Sequence, residues 1–429
     1  MIKQHLRQAW TMMKQQKFFT TVYITGTAIS IALAMTLFIV FYIKLGNIYP
    51  EKKRDRTLVI ENGYYEKVNK NGNRSSGNCN PSRTMIEQIK NDAKHLESIG
   101  YCIDRNLEHP KFINVDGKDF GKCKNPAFTN SGWWHLFDYK FLSGRGYTEK
   151  EEHDDVAVLS RSYAMQLFAD TAITGRSINI TGSPYRIIGV VEDVPHFMRI
   201  TTSDMWIPIN SSQADKYKED YMSGPNTLLM TAPSSAEKES LKKEVEDILR
   251  RMAQNLSEGE KCEFEVWEHW RLALMSREED NFFAAMSRYF YMLLAFLFIP
   301  ALNLSGIISS RMKGRMMEVG VRKAYGATNG QIISQVLWEN LLLTAIGAVI
   351  GLLLSYIVVY TCNSWIVTFF DIFIPPMPTT NGITQSMLLN PTVILGTLSL
   401  TLLLNIASAL LPTMIALKKD IVQSLYQRR

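Results

Sequence analysis

Four long stretches of the sequence contain no Asp, Glu, Lys or Arg, although these residues make up 21% of the chain. They run for 26 residues after Lys17, 22 after Arg288, 31 after Glu339 and 46 after Asp371. A bilayer core of about 30 Å needs roughly 20 apolar residues in a helix. Each of the first three stretches therefore predicts one membrane crossing. The fourth stretch contains several prolines in its first half, so only residues 391–417 suit a crossing.

Other absences exclude classes of chemistry. The sequence has no GxxxxGK[ST] motif, so the chain lacks the glycine loop and the lysine by which P-loop ATPases hold phosphates. It has no CxxC pair or Cys/His cluster with the spacing of zinc ligands. The acidic run around His153 is typical of a solvated loop rather than a metal site. We predict that the chain is not an enzyme, and this weakens the alternative of a membrane-anchored hydrolase.

The distribution of basic residues predicts the orientation of the crossings. Outside residues 46–281, Lys and Arg are concentrated before the first crossing, after the second and at the C-terminus, and they are absent from residues 362–390. Cytoplasmic segments carry the excess of Lys and Arg, so both ends are predicted to be cytoplasmic. The predicted fold class is an α-helical membrane protein with four transmembrane helices and a large mixed α/β extracytoplasmic domain between helices 1 and 2. The predicted segments are a cytoplasmic start (1–17), helix 1 (18–45), the outer domain (46–281), helix 2 (282–310), a cytoplasmic segment (311–335), helix 3 (336–361), an outer loop (362–390), helix 4 (391–417) and a cytoplasmic tail (418–429).

The first apolar stretch has an alternative interpretation as a cleaved secretory signal. Such signals use an apolar region of roughly 7–15 residues followed by a cleavage site with small residues. Here the apolar region is longer, and no such site stands out after it. We therefore predict an uncleaved anchor.

Local patterns in the outer domain predict strands alternating with helices. Residues 156–159 form a short apolar run before Ser160, which predicts a strand, a helix cap and a helix. Residues 176–194 predict two strands around a turn at 182–184. Ser234 and Glu237 form a capping pattern before an amphipathic helix. The polar, glycine-containing residues 69–80 predict an exposed loop. Trp133 and Trp134 favour core packing over a ligand-stacking surface.

Four of the five cysteines lie in the predicted outer domain, where disulfides persist. The candidate disulfide cysteines are Cys79, Cys102, Cys123 and Cys262. Four cysteines allow three pairings, and the sequence leaves two disulfides and four buried thiols as alternatives.

The cytoplasmic segment between crossings two and three is amphipathic. Glu318 and Arg322 have ion-pair spacing on a helix, and Met317, Val321 and Tyr325 recur on an apolar face. Gly326 can end this helix, and a second helix can begin at residues 328–329. Such a helix can lie in the lipid headgroup layer or dock into a groove of a soluble partner.

This segment resembles the signature of the MacB/FtsX-like ABC transporter permeases. The stretch EVGVRKAYGA, residues 318–327, is similar to the E-(I/V)-G-(I/V)-R-(K/R)-A-x-G-A sequence that follows their second crossing. Residues 141–148 and 154–168 resemble their extracytoplasmic core domain, as do residues 175–178 and 185–195. The closing residues 412–425 resemble the family's C-terminal pattern, with Ile421 where proline is usual.

The resemblance implies that residues 316–327 form a coupling helix seated on a separate nucleotide-binding subunit. These residues are Met316, Met317, Glu318, Val319, Gly320, Val321, Arg322, Lys323, Ala324, Tyr325, Gly326 and Ala327. Val319, Val321 and Tyr325 are expected to enter the groove of that subunit, and Glu318 and Arg322 to set its orientation. ATP and Mg²⁺ are then held by the partner subunit, and no cofactor is expected in this chain.

The resemblance also implies a second permease copy or homologue, the lipid bilayer of the bacterial cytoplasmic (inner) membrane, and a periplasmic adaptor as a further candidate partner; no nucleic acid is expected. The expected function is transmission of ATPase motion to the outer domain for export or extraction of a peptide, drug or lipoprotein. The alternative is a non-transporting permease that signals to an extracytoplasmic partner. Ionisable residues are nearly absent from the crossings, which favours mechanical transmission over an ion-coupled transporter.

Overall fold

The computed structural model describes residues 17–274, apart from 69–71, 105–106, 108, 124, 196–197, 199 and 215, and residues 316–361. It also describes isolated positions among residues 11–15, 286–310 and 391–414. The chain divides into two compact units, and each is described by itself. We call residues 44–277 with 377–382 the outer domain, and residues 1–43, 278–376 and 383–429 the helical unit.

The helices and strands follow one another along both units. The helices are α1 (Lys17–Leu45), α2 (Arg83–Asp92), α3 (Trp133–Leu136), α4 (Arg161–Phe168), α5 (Lys238–Gln254), α6 (His269–Leu274), α7 (Met316–Ala324) and α8 (Asn329–Thr361). The strands are β1 (Thr57–Ile60), β2 (Gly63–Val68), β3 (Arg74–Pro81), β4 (Ser98–Ile103), β5 (Lys111–Val115), β6 (Lys118–Cys123), β7 (Pro126–Thr129), β8 (Phe141–Gly144), β9 (Val156–Ser160), β10 (Ser177–Ile180), β11 (Ser183–Val191), β12 (Met205–Pro208), β13 (Ser223–Gly224), β14 (Asn226–Thr231), β15 (Glu260–Glu263) and β16 (Trp267–Glu268).

The outer domain is built on a mixed sheet of 12 strands within the described residues. Its order is β16-β1-β14-β4-β7-β12-β9-β11-β10-β5-β6, and β8 also pairs with β11. Most neighbours are antiparallel, but β9 pairs with β11 and β7 with β12 in parallel. A parallel pair needs a long crossover connection, and α4 lies in the connection between β9 and β11. The predicted mixed α/β domain is thus confirmed.

The strand and helix predicted around Ser160 are confirmed. Residues 156–160 form the fully buried strand β9, and the Ser160 hydroxyl accepts a hydrogen bond from the Tyr163 amide at the start of α4. β10 and β11 are the two predicted strands, and Gly182 lies between them with φ 93°, a conformation that glycine adopts without strain. Short-range caps and turns therefore decide this part of the fold.

The loop predicted for residues 69–80 is wrong over most of its length. Residues 74–81 form β3, which pairs with β2 in a smaller sheet of order β13-β3-β2-β15. The first five residues of β3 are exposed, so this part of the strand buries few side chains and needs no apolar residues. Backbone pairing with β2, rather than side-chain burial, therefore keeps this polar segment extended.

Helix α5 buries one face, as its spacing predicts. Its inward side chains are Leu241, Val245, Ile248, Leu249 and Met252. They share a hydrophobic cluster with Met85, Ile86 and Ile89 of α2. Each fully buried side chain of this size stabilises the fold by about 1.5–3 kcal/mol, so this face alone explains why α5 is held on the domain.

Trp133 and Trp134 pack in the core, as we predicted. Trp133 is fully buried, and its Nε1 donates to the Tyr139 hydroxyl at 3.2 Å. The Trp134 ring lies 5.2 Å from Tyr139 and 5.3 Å from Tyr147, between ring centroids and with the planes tilted edge to face. Such edge-to-face pairs stabilise a core beyond their buried area. These side chains are structural.

Helices α1 and α8 are long and apolar enough to cross a membrane. They contain 29 and 33 residues, which at 1.5 Å per residue corresponds to roughly 44 and 50 Å, more than the bilayer core. α1 matches the predicted first crossing, and α8 contains the predicted third. The predicted second and fourth crossings, the loop 362–390 and the tail 418–429 lie largely or wholly outside the described residues.

Candidate functional site

Helix α7 is the predicted coupling helix, and its sequence accounts for both its length and its end. Arg322 donates to Glu318 at 2.7 Å, one turn apart. Gly326 has φ 89°, its amide donates to the Lys323 carbonyl, and the Ala327 amide donates to the Arg322 carbonyl. This pair of bonds around a left-handed glycine is a Schellman motif, which satisfies the last carbonyls of a helix. Gly326 therefore ends α7, as predicted.

The turn after α7 begins the next helix through a reciprocal cap. The Gln331 amide donates to the Thr328 hydroxyl at 3.3 Å, and the Thr328 amide donates to the Gln331 side chain at 3.0 Å. This capping box satisfies two amides that lack a partner within the helix. It confirms Thr328 as the cap and fixes the start of α8 immediately after α7.

The two apolar faces of α7 differ in exposure. Met317, Val321 and Tyr325 are exposed by 53%, 45% and 90%. They follow one another at intervals of four residues, so they form one stripe along the helix. Val319 is only 8% exposed and packs in a cluster with Tyr23 of α1. We call Met317, Val321 and Tyr325 the exposed stripe.

Val319 therefore differs from its expected role. It was expected to enter a partner's groove together with Val321 and Tyr325, but its side chain is buried within the helical unit, where Ile332 and Val336 of α8 complete its cluster. Val319 lies two residues from Val321, and residues two apart do not share a helix face. Val319 is therefore buried on one face of α7, while Val321 is exposed on another.

Arg322 also binds within the same chain, and its expected role in setting the orientation of a partner stays a prediction. Its Nη1 donates to Oε1 of Gln335 on α8, and the side-chain Nε2 of Gln335 donates to Oε1 of Glu339 at 3.1 Å. Gln335 and Glu339 are 8% and 3% exposed. The expectation for Glu318 and Arg322 was contact with a partner; here Arg322 connects α7 to α8.

The other residues of the predicted helix have mixed surroundings. Gly320 is buried beside Val319, Lys323 and Ala327 are half-buried, and Ala324 is exposed. Met316 begins α7, and its side chain lies outside the described part. Among the larger apolar side chains that the structure describes in this segment, those of the exposed stripe are the ones accessible to a partner.

Helices α1 and α8 meet through small residues. A Cβ atom added at Gly347 would lie 2.9 Å from Thr27, and one at Gly351 would lie 2.6 Å from the Ala28 carbonyl oxygen. Small residues four apart allow two membrane helices to approach closely. The Tyr23 hydroxyl also lies 3.3 Å from that of Thr344. Helix α8 is thus in direct contact with α1.

Gln335 and Glu339 are functional candidates that sequence reasoning missed. The signal for them is a pair of polar residues four apart at the start of an otherwise apolar helix, because residues at this spacing face the same side. Gln335 accepts from Arg322 of the preceding helix and donates to Glu339, so the sequence of α8 alone does not reveal this connection.

The four outer-domain cysteines are all buried in the structure. The sulfur atoms of Cys79 and Cys262 lie 3.6 Å apart. The disulfide pairing remains a prediction.

The acidic run 151–155 serves the fold. Glu151 forms two hydrogen bonds with Arg145, at 2.7 and 2.8 Å, and this hydrogen bonding lowers the pKa of Glu151 to about 2. Glu152 accepts a hydrogen bond from the backbone amide of Ser131 at 2.7 Å, and Asp155 accepts one from that of Ser212 at 2.8 Å. Among the described residues no three His, Cys, Asp or Glu side chains converge as a metal site.

Two family models match the chain and together cover most of it. The MacB-like periplasmic core domain matches residues 20–248, and the FtsX-like permease C-terminal model matches residues 290–421. The first alone covers more than half of the chain.

Known ABC transporter permeases are similar to the chain at low sequence identity. An uncharacterized ABC transporter permease, YknZ of Bacillus subtilis, is 26% identical over 230 residues, which is 53% of this chain and 55% of that protein. The macrolide export ATP-binding/permease protein MacB of Pasteurella multocida is 24% identical over 230 residues, 53% of this chain and 33% of that protein. The aligned part thus spans about half of the first relative and a third of the second. The solved periplasmic region of MacB from Actinobacillus actinomycetemcomitans is 18% identical, with a TM-score of 0.36, over 54% of this chain and 98% of that one.

Proposed function

Because the chain belongs to the ABC transporter permeases with a MacB-like periplasmic core domain and an FtsX-like C-terminal region, we propose that it transmits the motion of a separate nucleotide-binding subunit to its outer domain. That subunit binds ATP and Mg²⁺ and contacts α7 on the cytoplasmic side. The observation that carries this proposal is the exposed stripe, Met317, Val321 and Tyr325.

The exposed stripe has the properties of a docking face. Tyr325, which directly follows the last residue of α7, is 90% exposed, whereas Val319 within α7 is buried. Interfaces draw most of their binding free energy from a few aromatic and apolar anchors that enter pockets, and an amphipathic helix presents such anchors at intervals of three and four residues. Membership of the family supports a nucleotide-binding subunit as the partner whose groove receives the exposed stripe.

The work done outside the membrane is proposed to be export or extraction of a peptide, drug or lipoprotein. A relative named for macrolide export supports this choice. The working unit is proposed to contain two permease copies, or a copy and a homologue, in the bacterial cytoplasmic membrane, with a periplasmic adaptor as a further partner. The runner-up is a permease that signals to an extracytoplasmic partner.

The test compares alanine variants of the exposed stripe with a matched valine control in the full-length chain. The tagged chain is purified from membranes, and the retained nucleotide-binding subunit is identified and quantified. Tyr325→Ala and Val321→Ala should each weaken its retention, since loss of an interface anchor costs about 2 kcal/mol, or roughly 30-fold in Kd. The control is Val349→Ala, which removes the same two methyl groups from a 62% exposed position on α8.

Val319→Ala separates stability from binding. It should lower the free energy of unfolding by about 1.5 kcal/mol, because two buried methyl groups are removed. Val321→Ala should leave the free energy of unfolding unchanged. The proposal fails if Tyr325→Ala and Val321→Ala retain the subunit as the wild type does, which is the result expected for a helix that lies in the headgroup layer.

A further inference from the structure

Glu51 lies at the centre of a buried polar cluster in the outer domain. Its Oε2 accepts from Arg54 Nε at 2.7 Å and lies 2.9 Å from His269 Nε2, and its Oε1 accepts from the Thr201 hydroxyl at 2.6 Å. All four side chains are at most 8% exposed. We call Glu51, Arg54, Thr201 and His269 the base cluster.

The base cluster joins both ends of the outer domain. Arg54 Nη1 donates to the carbonyl oxygens of Lys44 and Gly46, at 3.2 and 3.1 Å, where α1 ends. A cation at this position suits the negative end of a helix. His269 is the first residue of α6, which precedes the predicted second crossing, residues 282–310. One carboxylate therefore holds the segment that follows the first crossing and the segment that leads to the second.

The base cluster is also hydrogen-bonded to the domain core. The Tyr139 hydroxyl donates to the Thr201 carbonyl at 2.6 Å and accepts from Trp133 Nε1 at 3.2 Å. Trp133 begins α3 and is fully buried. Thr201 therefore links Glu51, bound by its hydroxyl, to Tyr139 and the core, bound by its backbone carbonyl.

The carboxylate is kept charged by its partners. Burial by itself raises the pKa of Glu51, but Arg54 and His269 outweigh it and hold that pKa well below its ordinary value. Removal of one partner from a buried ionic group is far more disruptive than loss of an exposed pair. Unlike apolar contacts, these directional bonds fix the relative orientation of the three segments they join.

We propose that Glu51 is a positioning residue through which displacements of the first and second crossings reach the outer domain as one rigid movement. This inference rests on the proposed function. Without the carboxylate, the segment 44–54 and helix α6 can shift independently, and the movement is lost before it reaches Thr201 and the core.

The experiment uses the full-length chain with the nucleotide-binding subunit that co-purifies. Amide hydrogen exchange of the outer domain is measured without nucleotide and after trapping with ATP and vanadate. Glu51→Gln should retain the subunit and its ATP hydrolysis, but the nucleotide-dependent difference in exchange around Thr201 should be largely lost. Glu265→Gln is the matched control, because Glu265 pairs with Arg271 near α6 but is 73% exposed.

A second pair of variants guards against simple unfolding. His269→Gln keeps a nitrogen donor near the Nε2 position and should preserve the exchange difference, whereas His269→Ala should abolish it. An unchanged exchange difference in Glu51→Gln overturns the inference alone. Absence of any nucleotide-dependent difference in the wild type overturns the proposed function and this inference together.

Discussion

Arg322 connects helices α7 and α8, and its replacement measures the strength of that connection. The guanidinium donates to Gln335 on one side and to Glu318, at 2.7 Å, on the other. Gln335 is 8% exposed and in turn donates to Glu339. Arg322→Ala removes a charged donor from a buried acceptor, while the Glu318 carboxylate remains partly solvated.

The two interactions of Arg322 differ in expected magnitude. A hydrogen bond between a charged group and a buried partner contributes about 1.5–3 kcal/mol. An exposed ion pair one helical turn apart contributes about 0.3–0.5 kcal/mol, and the Glu318 side chain is 43% exposed. Arg322→Ala should therefore lower the free energy of unfolding by about 2–3 kcal/mol, mostly through the lost bond to Gln335.

Double-mutant cycles separate these contributions. Unfolding of the detergent-solubilised chain is followed by SDS titration for Arg322→Ala, Gln335→Ala, Glu318→Ala and the two double variants. The coupling energy between Arg322 and Gln335 should be about 1.5–3 kcal/mol, and that between Arg322 and Glu318 below about 0.5 kcal/mol. If the Arg322 and Gln335 variants are additive, the connection between α7 and α8 does not exist as described.

Two further predictions concern the two units separately. Gly351→Ala should lower the free energy of unfolding by about 1–3 kcal/mol, because its Cβ would lie 2.6 Å from the Ala28 carbonyl oxygen, whereas Gly26→Ala, with nothing within 4 Å, should not destabilise α1 in the same titration. Glu151→Gln should destabilise the outer domain by about 1–2 kcal/mol near neutral pH, less than the full pKa shift suggests because Arg145 is 58% exposed. Since the folded pKa lies below the ordinary 4.5, this advantage of the wild type should shrink as the pH falls from about 4.5 towards 2; an advantage that stays constant in unfolding measured along this range contradicts the assignment.

Local signals were sufficient for the elements that depend on neighbouring residues. The long apolar helix α1, the strand and cap at Ser160 and the end of α7 at Gly326 were all predicted, because charge depletion, a capping hydroxyl and a left-handed glycine act within a few residues. The segment 69–80 shows the limit of this reasoning. Its polarity predicted a loop, but hydrogen bonding to β2 makes most of it a strand.

Local signals could not decide which face of α7 is buried. Val319 and Val321 have the same side chain and lie on different faces of one short helix. Their fates differ because Tyr23 of α1, distant in sequence, packs against the Val319 face. The base cluster is a second case, since Glu51 finds Thr201 and His269 only after the outer domain has folded.

Polar side chains bind near the ends of the apolar helices α1 and α8. Along α1 and α8 the contact is made by small residues such as Gly347 and Gly351, together with the hydroxyl groups of Tyr23 and Thr344. Further hydrogen bonds occur near the helix ends: Arg322 with Gln335 near the start of α8, and Arg54 with the Lys44 carbonyl at the end of α1. Gly351→Ala should affect the stability of the helical unit, whereas Glu51→Gln should affect both the stability of the outer domain and the proposed transmission.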